Sequence, residues 1–179
     1  MTPEEVVVET SLHESSHNTT KIIIESSFFR ENQASTLPTP GEVRAINNAS
    51  GGFFCTNFRR PRPVRFPSLG LIVKYGSDIT VTEAETQIML HTQLKGKVPI
   101  PEVFGWTEDG GQVFIYMALI DGETLGQRWA ALNEEERVAV CRQLNGMVKA
   151  WRALEKRDQT LYVGKYRDLN SLQSLVRRK

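Results

Sequence analysis

Apolar residues recur along this chain in two rhythms, an alternation that suits strands and spacings of three and four that suit helices. The run LGLIVKYG is aliphatic and β-branched and is bounded by glycines. It predicts a strand with Ile72 and Lys74 on one face and Leu71, Val73 and Tyr75 on the other. One lysine thus shares a face with apolar neighbours. Next, Thr80 or Thr82 is placed to cap a helix through EAETQIMLHTQL, with Glu83 and Glu85 in the first turn, where the helix dipole favours acids, and Gly96 at the exit. VPIPEVFGW reads as an extended stretch bounded by prolines, EDGG as a hairpin turn, and QVFIYMALI as a second long strand that Asp121 and Gly122 end.

GETLGQRWAAL predicts a short helix, and the segment from Asn133 to about Lys156 a long one. Asn133 is its N-cap, Glu134, Glu135 and Glu136 sit at the positive end of the dipole, and Lys149, Arg152 and Lys156 lie toward the negative end. Val138, Cys141, Leu144, Val148, Trp151 and Leu154 recur at helical spacing, so one stripe is expected to face a core, with Cys141 inside it. Upstream, Val6-Val7-Val8 and Ile22-Ile23-Ile24 either pair as edge strands or stay loose. LPTPGEVRAINNASGG predicts a helix over about 40 to 48, with Thr39 as N-cap, Pro40 first, Glu42 in the first turn and glycines at the exit. Between Phe53 and Pro67, four arginines and three prolines predict a loop or a strand edge, because proline donates no ladder hydrogen bond.

At 179 residues, 40% hydrophobic and 24% charged, the chain can bury a core, which excludes a collagen-like, low-complexity or wholly disordered sequence. Lys and Arg total 22 against 21 Asp and Glu, a formal charge of +1, so no global field recruits nucleic acid or anionic lipid. A nucleic-acid contact through Arg59, Arg60, Arg62 and Arg65 is weighed against a solvated loop, and the interleaved prolines and balanced charge favour the loop. No apolar run approaches the roughly 18 to 20 residues that cross a bilayer, and the first twenty residues lack a basic start, so a cytoplasmic protein is expected. Cys55 and Cys141 make no disulfide framework or metal pair. His13 and His17 have the i, i+4 spacing of a zinc pair but neither a helix signal nor a third ligand, and they read as a solvated tail.

An ammonium on a sheet face is costly to bury unless paired, and a glutamate on the next helix is its natural partner. Such a pair can hold phosphate oxygens, as in the nucleotide-binding half of a protein-kinase-like domain. The bland alternative is a lysine that snorkels to solvent. The wording adds to the spacing. FFRENQASTLPTPGEVRAIN, PVRFPSLGLIVKYGSDITVTEAETQIM, VPIPEVFGWTEDGGQVFIYMALIDGETLGQRW and NEEERVAVCRQLNGMVKAWRALE closely resemble fungal members of the aminoglycoside phosphotransferase (APH) and choline-kinase-like family, over about residues 26 to 160.

The resemblance implies an α+β fold: a kinase-like N-terminal lobe, a twisted antiparallel sheet with one packed helix, over residues 26–120, and the first helices of a helical lobe over 121–160. Residues 1–25 would be a variable N-terminal segment and 161–179 a divergent basic tail. It implies ATP and Mg²⁺ as cofactors, with Lys74 contacting phosphates and Glu83 its best-fitting partner, Glu85 second. Met117 would guard the back of the adenine pocket, the Ala118 carbonyl and Ile120 N–H would meet the adenine edge, and Ile72 would cover one ring face; core packing is the plain alternative for Ile72, Met117 and Ile120. Neither Asn48-Ala49-Ser50-Gly51-Gly52 nor Pro67-Ser68-Leu69-Gly70 is assigned as a phosphate loop, the second reading better as a hairpin turn.

The family's H-x-D-L-x-x-x-N motif and its later magnesium-binding aspartate motif are absent. Tyr166-Arg167-Asp168-Leu169 imitates the first, but the position five residues after Asp168 is Gln173 rather than asparagine. The chain is therefore expected to be truncated after the first helices of the helical lobe and to show no substantial turnover of phosphoryl transfer to a small-molecule hydroxyl. The competing expectation is a non-catalytic module that binds nucleotide or a partner, with self-association through an exposed helix 133–156 and neither nucleic-acid nor membrane binding.

Overall fold

The computed structural model describes residues 19–51 and 57–154. Val6-Val7-Val8, His13, His17, Gly52, Cys55 and Asp168 lie outside the described residues. In chain order the elements are β1 (Thr20–Ile22), α1 (Ser27–Arg30), α2 (Pro40–Ser50), β2 (Val64–Phe66), β3 (Leu71–Gly76), α3 (Val81–Gln93), β4 (Val103–Asp109), β5 (Gln112–Ala118), α4 (Leu125–Arg128) and α5 (Glu134–Arg152), with 3-10 turns at Pro67–Leu69 and Trp129–Ala131. The five strands form one antiparallel sheet in the order β1-β4-β5-β3-β2. The fold is α+β.

Turn chemistry sets the hairpins. Gly110 and Gly111, at φ of 57° and 74°, join β4 to β5, and Gly70 at φ 55° closes the turn that leads from β2 into β3. Gly76 ends β3 where the backbone of the 57–61 loop crosses it. A Cβ there would lie 2.2 Å from the Arg59 carbonyl oxygen, so only glycine fits. The segment from Phe53 to Pro67 resolves, in its described part, into that loop and the three-residue edge strand β2, with Pro63 and Pro67 on either side of it. β5 ends at Ala118, before Asp121.

The sheet carries helices on both faces, not one packed helix. Apolar residues occupy both parities of β3 and β5, so each face has something to bury. Leu71, Val73, Tyr75, Phe114 and Tyr116 pack with Phe28 of α1 and Val43 of α2. Val113, Ile115 and Trp106 face the other way and pack with Ala84 of α3. A bulge between Val103 and Gly105 inserts Phe104 into β4, and its ring joins the α2-side core, 5.2 Å from that of Phe28. The sheet begins at Thr20, inside the stretch set apart by sequence as variable; Ile22 pairs with Gly105, and Thr20 shares a 2.6 Å hydroxyl contact with Thr107.

α5 corrects a second expectation. Its stripe faces no core among the described residues, and Cys141 is exposed. Spacing shows that a helix has an apolar face, but whether that face is covered depends on what packs against it. Among the described residues, no helix is long and apolar enough to cross a membrane.

Candidate functional site

Lys74 occupies the middle of β3, directly opposite Ile115, which in turn lies opposite Trp106 on β4. Side chains directly opposite one another share a face, so Lys74 belongs to the α3 side of the sheet. There its Nζ donates to Oε1 of Glu83 in an ion pair, with both side chains about a third exposed. Thr80 rather than Thr82 is the N-cap of α3 and accepts from the Glu83 N–H at 3.3 Å.

Glu83 is three residues past that cap, the position from which a glutamate ordinarily returns to the cap's backbone N–H. The same position does so in every other long helix described. Glu42 closes a reciprocal box with Thr39, and Glu136 closes one with Asn133; in the short α4, Gln127 does the same for Thr124. Only in α3 is the box half made, because the Glu83 carboxylate turns to the sheet lysine instead. Glu85, two residues on, is exposed and makes no such contact.

The remaining sequence-derived positions divide between the two sides of the sheet. Ile72 is half-buried and paired with Met117 across β3 and β5, so both share the Lys74 face. Gln87 of α3 reaches both the Met117 sulfur, at 3.7 Å, and the Pro101 carbonyl, at 3.0 Å, which ties the helix to the end of β5. Ala118 packs against the α2-side core, and its N–H donates to the Glu102 carbonyl at 2.9 Å. The Leu119 N–H donates to the Gly70 carbonyl at 2.8 Å, and Ile120 stands beyond that last bond, 66% exposed. Lys74, Glu83, Ile72 and Met117 therefore sit together, Ala118 presents its side chain to the other face, and Ile120 projects at the rim.

No family model, curated protein or solved structure matches the chain. What the site can do follows from its own geometry. A lysine about one-third exposed and held by one carboxylate keeps donors available for an anion, and the apolar pair Ile72 and Met117 lies one pleat along the same face. Neither glycine segment adds a phosphate cradle beside it: Pro67–Gly70 is the β2–β3 turn, and Gly51 caps the exit of α2, which covers the opposite face. Among the described residues, no three His, Cys, Asp or Glu side chains converge as metal ligands.

Two polar features escaped the sequence reading. Trp106 is 6% exposed, its indole N–H has no hydrogen-bond partner, and it lies in the same cross-strand row as Lys74; strand parity in β4 was its only signal, and the bulge at Phe104 scrambles that parity. On the α2 face, Arg44 ion-pairs with Asp109, donates to the Asp109 carbonyl at 2.7 Å and to Gln112 at 3.0 Å, and stacks over Phe114. Burial, and then the nearby Asp109 carboxylate, push the Tyr116 hydroxyl pKa far above its ordinary value, so it stays protonated. An open cleft of about 370 Å³ lies on this side too, lined by Leu37, Glu42, Ile46, Phe66 and Leu69.

Proposed function

We propose that this chain carries the nucleotide-binding part of a kinase-like phosphotransferase of the aminoglycoside phosphotransferase and choline-kinase-like type. Lys74 meets the α- and β-phosphates of ATP, and Glu83 orients it. The observation that carries the reading is the half-made cap of α3, whose glutamate leaves its helix to hold the lysine. Stability does not account for that choice. A pair this exposed contributes about 0–1 kcal/mol, no more than a closed cap would. An arrangement neutral for folding and specific for placing one ammonium suits a ligand.

Ile72 and Met117 line the same face and suit the apolar rings of adenine, with the backbone at Ala118 and Ile120 at its edge. Magnesium, when bound with the nucleotide, neutralises phosphate charge. The described residues offer it no cluster of their own, so its ligands here would be chiefly phosphate oxygens and water. No H-x-D-L-x-x-x-N motif stands in the sequence, and the proposal is for nucleotide binding rather than for turnover.

Titration of the full chain with Mg-ATP by calorimetry, with thermal shift alongside, tests this. Saturable binding that Lys74→Ala weakens at least tenfold is the expected result. Absence of binding, or equal heats for both proteins, would sink the proposal.

A further inference from the structure

The arginines between Phe53 and Pro67 do not share one setting. Arg59 ion-pairs with Asp78. Arg60 and Arg62 are exposed in the loop that precedes β2. Arg65 is the one that a strand carries, in the middle of β2 and directly opposite Ile72 of β3. Its neighbours Val64 and Phe66 pack into the α2-side core, so alternation turns Arg65 to the other face, which is the face of Lys74.

Two successive cross-strand rows make up that part of the face. One runs Arg65, Ile72, Met117, Val103 and the next Lys74, Ile115, Trp106, Lys21. Neither row holds an acid. α3 packs on Ile115 and Trp106 and supplies the Glu83 carboxylate, which Lys74 takes. Toward β2 this cover thins. Ile72 is half-buried, Arg65 is exposed, and among the described residues no carboxylate pairs with Arg65. Residues on the diagonal of neighbouring strands have Cα atoms about 7–8 Å apart, within reach of long side chains. Arg65 and Lys74 stand in that relation, so their cationic ends can close on one anion. An edge strand often carries a cation that discourages pairing with another chain, but that role asks nothing of the face on which the cation lies.

We propose that Arg65 is a second phosphate-binding side chain of the nucleotide site, and that it shares with Lys74 the phosphate attached to the ribose. This rests on the nucleotide reading of Lys74 and Glu83. Arg65 is level with Ile72, at the adenine end of the site, and Lys74 stands one pleat farther along, so the phosphate within reach of both is the first one. A guanidinium offers paired N–H donors that match two phosphate oxygens, which a second ammonium would not.

Calorimetric titration of the full chain with adenosine, AMP and Mg-ATP tests the assignment in Arg65→Ala, Arg65→Lys, Arg62→Ala and Lys74→Ala. Arg65→Ala is expected to weaken AMP and Mg-ATP by a similar factor, roughly tenfold, and to leave adenosine unchanged. Arg65→Lys should recover part of the loss, and Arg62→Ala should bind all three as the unmodified chain does. Because Arg65 is exposed, the thermal midpoint without ligand should hold in both Arg65 variants. Mg-ATP binding that depends on Lys74 but not on Arg65 overturns this assignment and leaves the nucleotide reading standing. An equal loss for adenosine would put Arg65 on the base, and an equal loss in Arg62→Ala would make the effect one of general charge; either overturns it. So does a loss confined to Mg-ATP, or AMP binding no tighter than adenosine. No Mg-ATP binding to the unmodified chain overturns both readings.

Discussion

The first turns of α2 and α3 carry the same residues at the same spacing: Thr39 and Glu42 in one, Thr80 and Glu83 in the other. Both threonines accept a hydrogen bond from the glutamate's N–H at 3.3 Å. In α2 the carboxylate then returns to the Thr39 N–H at 2.7 Å and hydroxyl at 2.8 Å, and the helix is tied to the sheet farther along, by Arg44 and Asn47. In α3 the carboxylate crosses to Lys74. One local signal has two outcomes, and the difference lies in what the sheet presents opposite. A cap motif secures a helix terminus; a charged residue on a neighbouring strand can claim one of its members.

Several measurements sharpen or break this contrast. The largest effect is expected on the α2 side. Asn47→Ala removes the 2.7 Å bond to the Tyr75 hydroxyl in a buried setting and should cost about 2–3 kcal/mol by urea denaturation, with nucleotide affinity unchanged in the residual folded protein. Lys74→Ala should show the reverse pattern: a loss of tenfold or more in Mg-ATP affinity, equivalent to about 1.4 kcal/mol, and a smaller change in folding stability. Equal stability losses in these two variants would erase the distinction between an anchoring helix and one that serves the site.

Smaller effects concern the caps. Thr39→Ala should destabilise by about 1 kcal/mol and Thr80→Ala by roughly half that, because only α2 has a reciprocal box to lose. Glu83→Gln is the discriminating variant, since an amide can close the α3 box while giving up the ion pair. Its thermal midpoint should hold while nucleotide affinity falls.

The smallest effect is one of pH. The Thr39 backbone N–H and then its hydroxyl hold the Glu42 pKa below the ordinary 4.5. A carboxylate whose folded pKa is depressed contributes stability that is complete above its unfolded value and is lost as pH falls through the folded one. Protection of the first-turn amides of α2, measured against their intrinsic exchange rates, should therefore fall on acidification below about pH 4.5, and Glu42→Gln should flatten that response. An unchanged slope would count against the cap as its origin.

Much of the scaffold was legible before any coordinates. Thr39-Pro40 marks a helix start by hydrogen bonding and a fixed φ, and Glu-Asp-Gly-Gly marks a hairpin by the positive φ its glycines accept; both are properties of a few adjacent residues. The inward parity of Lys74 followed from the alternation of its own strand. The preference for Glu83 over Glu85 did not; it came from the resemblance, because sequence left the cap open between Thr80 and Thr82, and only the crossing of helix and strand brings a carboxylate to the ammonium. The buried Trp106 and the Arg44 clamp were hidden for the same reason: each depends on residues tens of positions away.

Periodicity along α5 established an apolar stripe, and nothing in that periodicity could say that Val138, Leu144, Val148 and Trp151 would remain exposed. The chain's own order determined its helices, strands, turns and caps, because those interactions act within a turn or a pleat. Which faces are covered, which glutamate meets the lysine, and which side of the sheet each helix takes were decided by tertiary packing, where burial and charge pairing join groups that local sequence keeps apart.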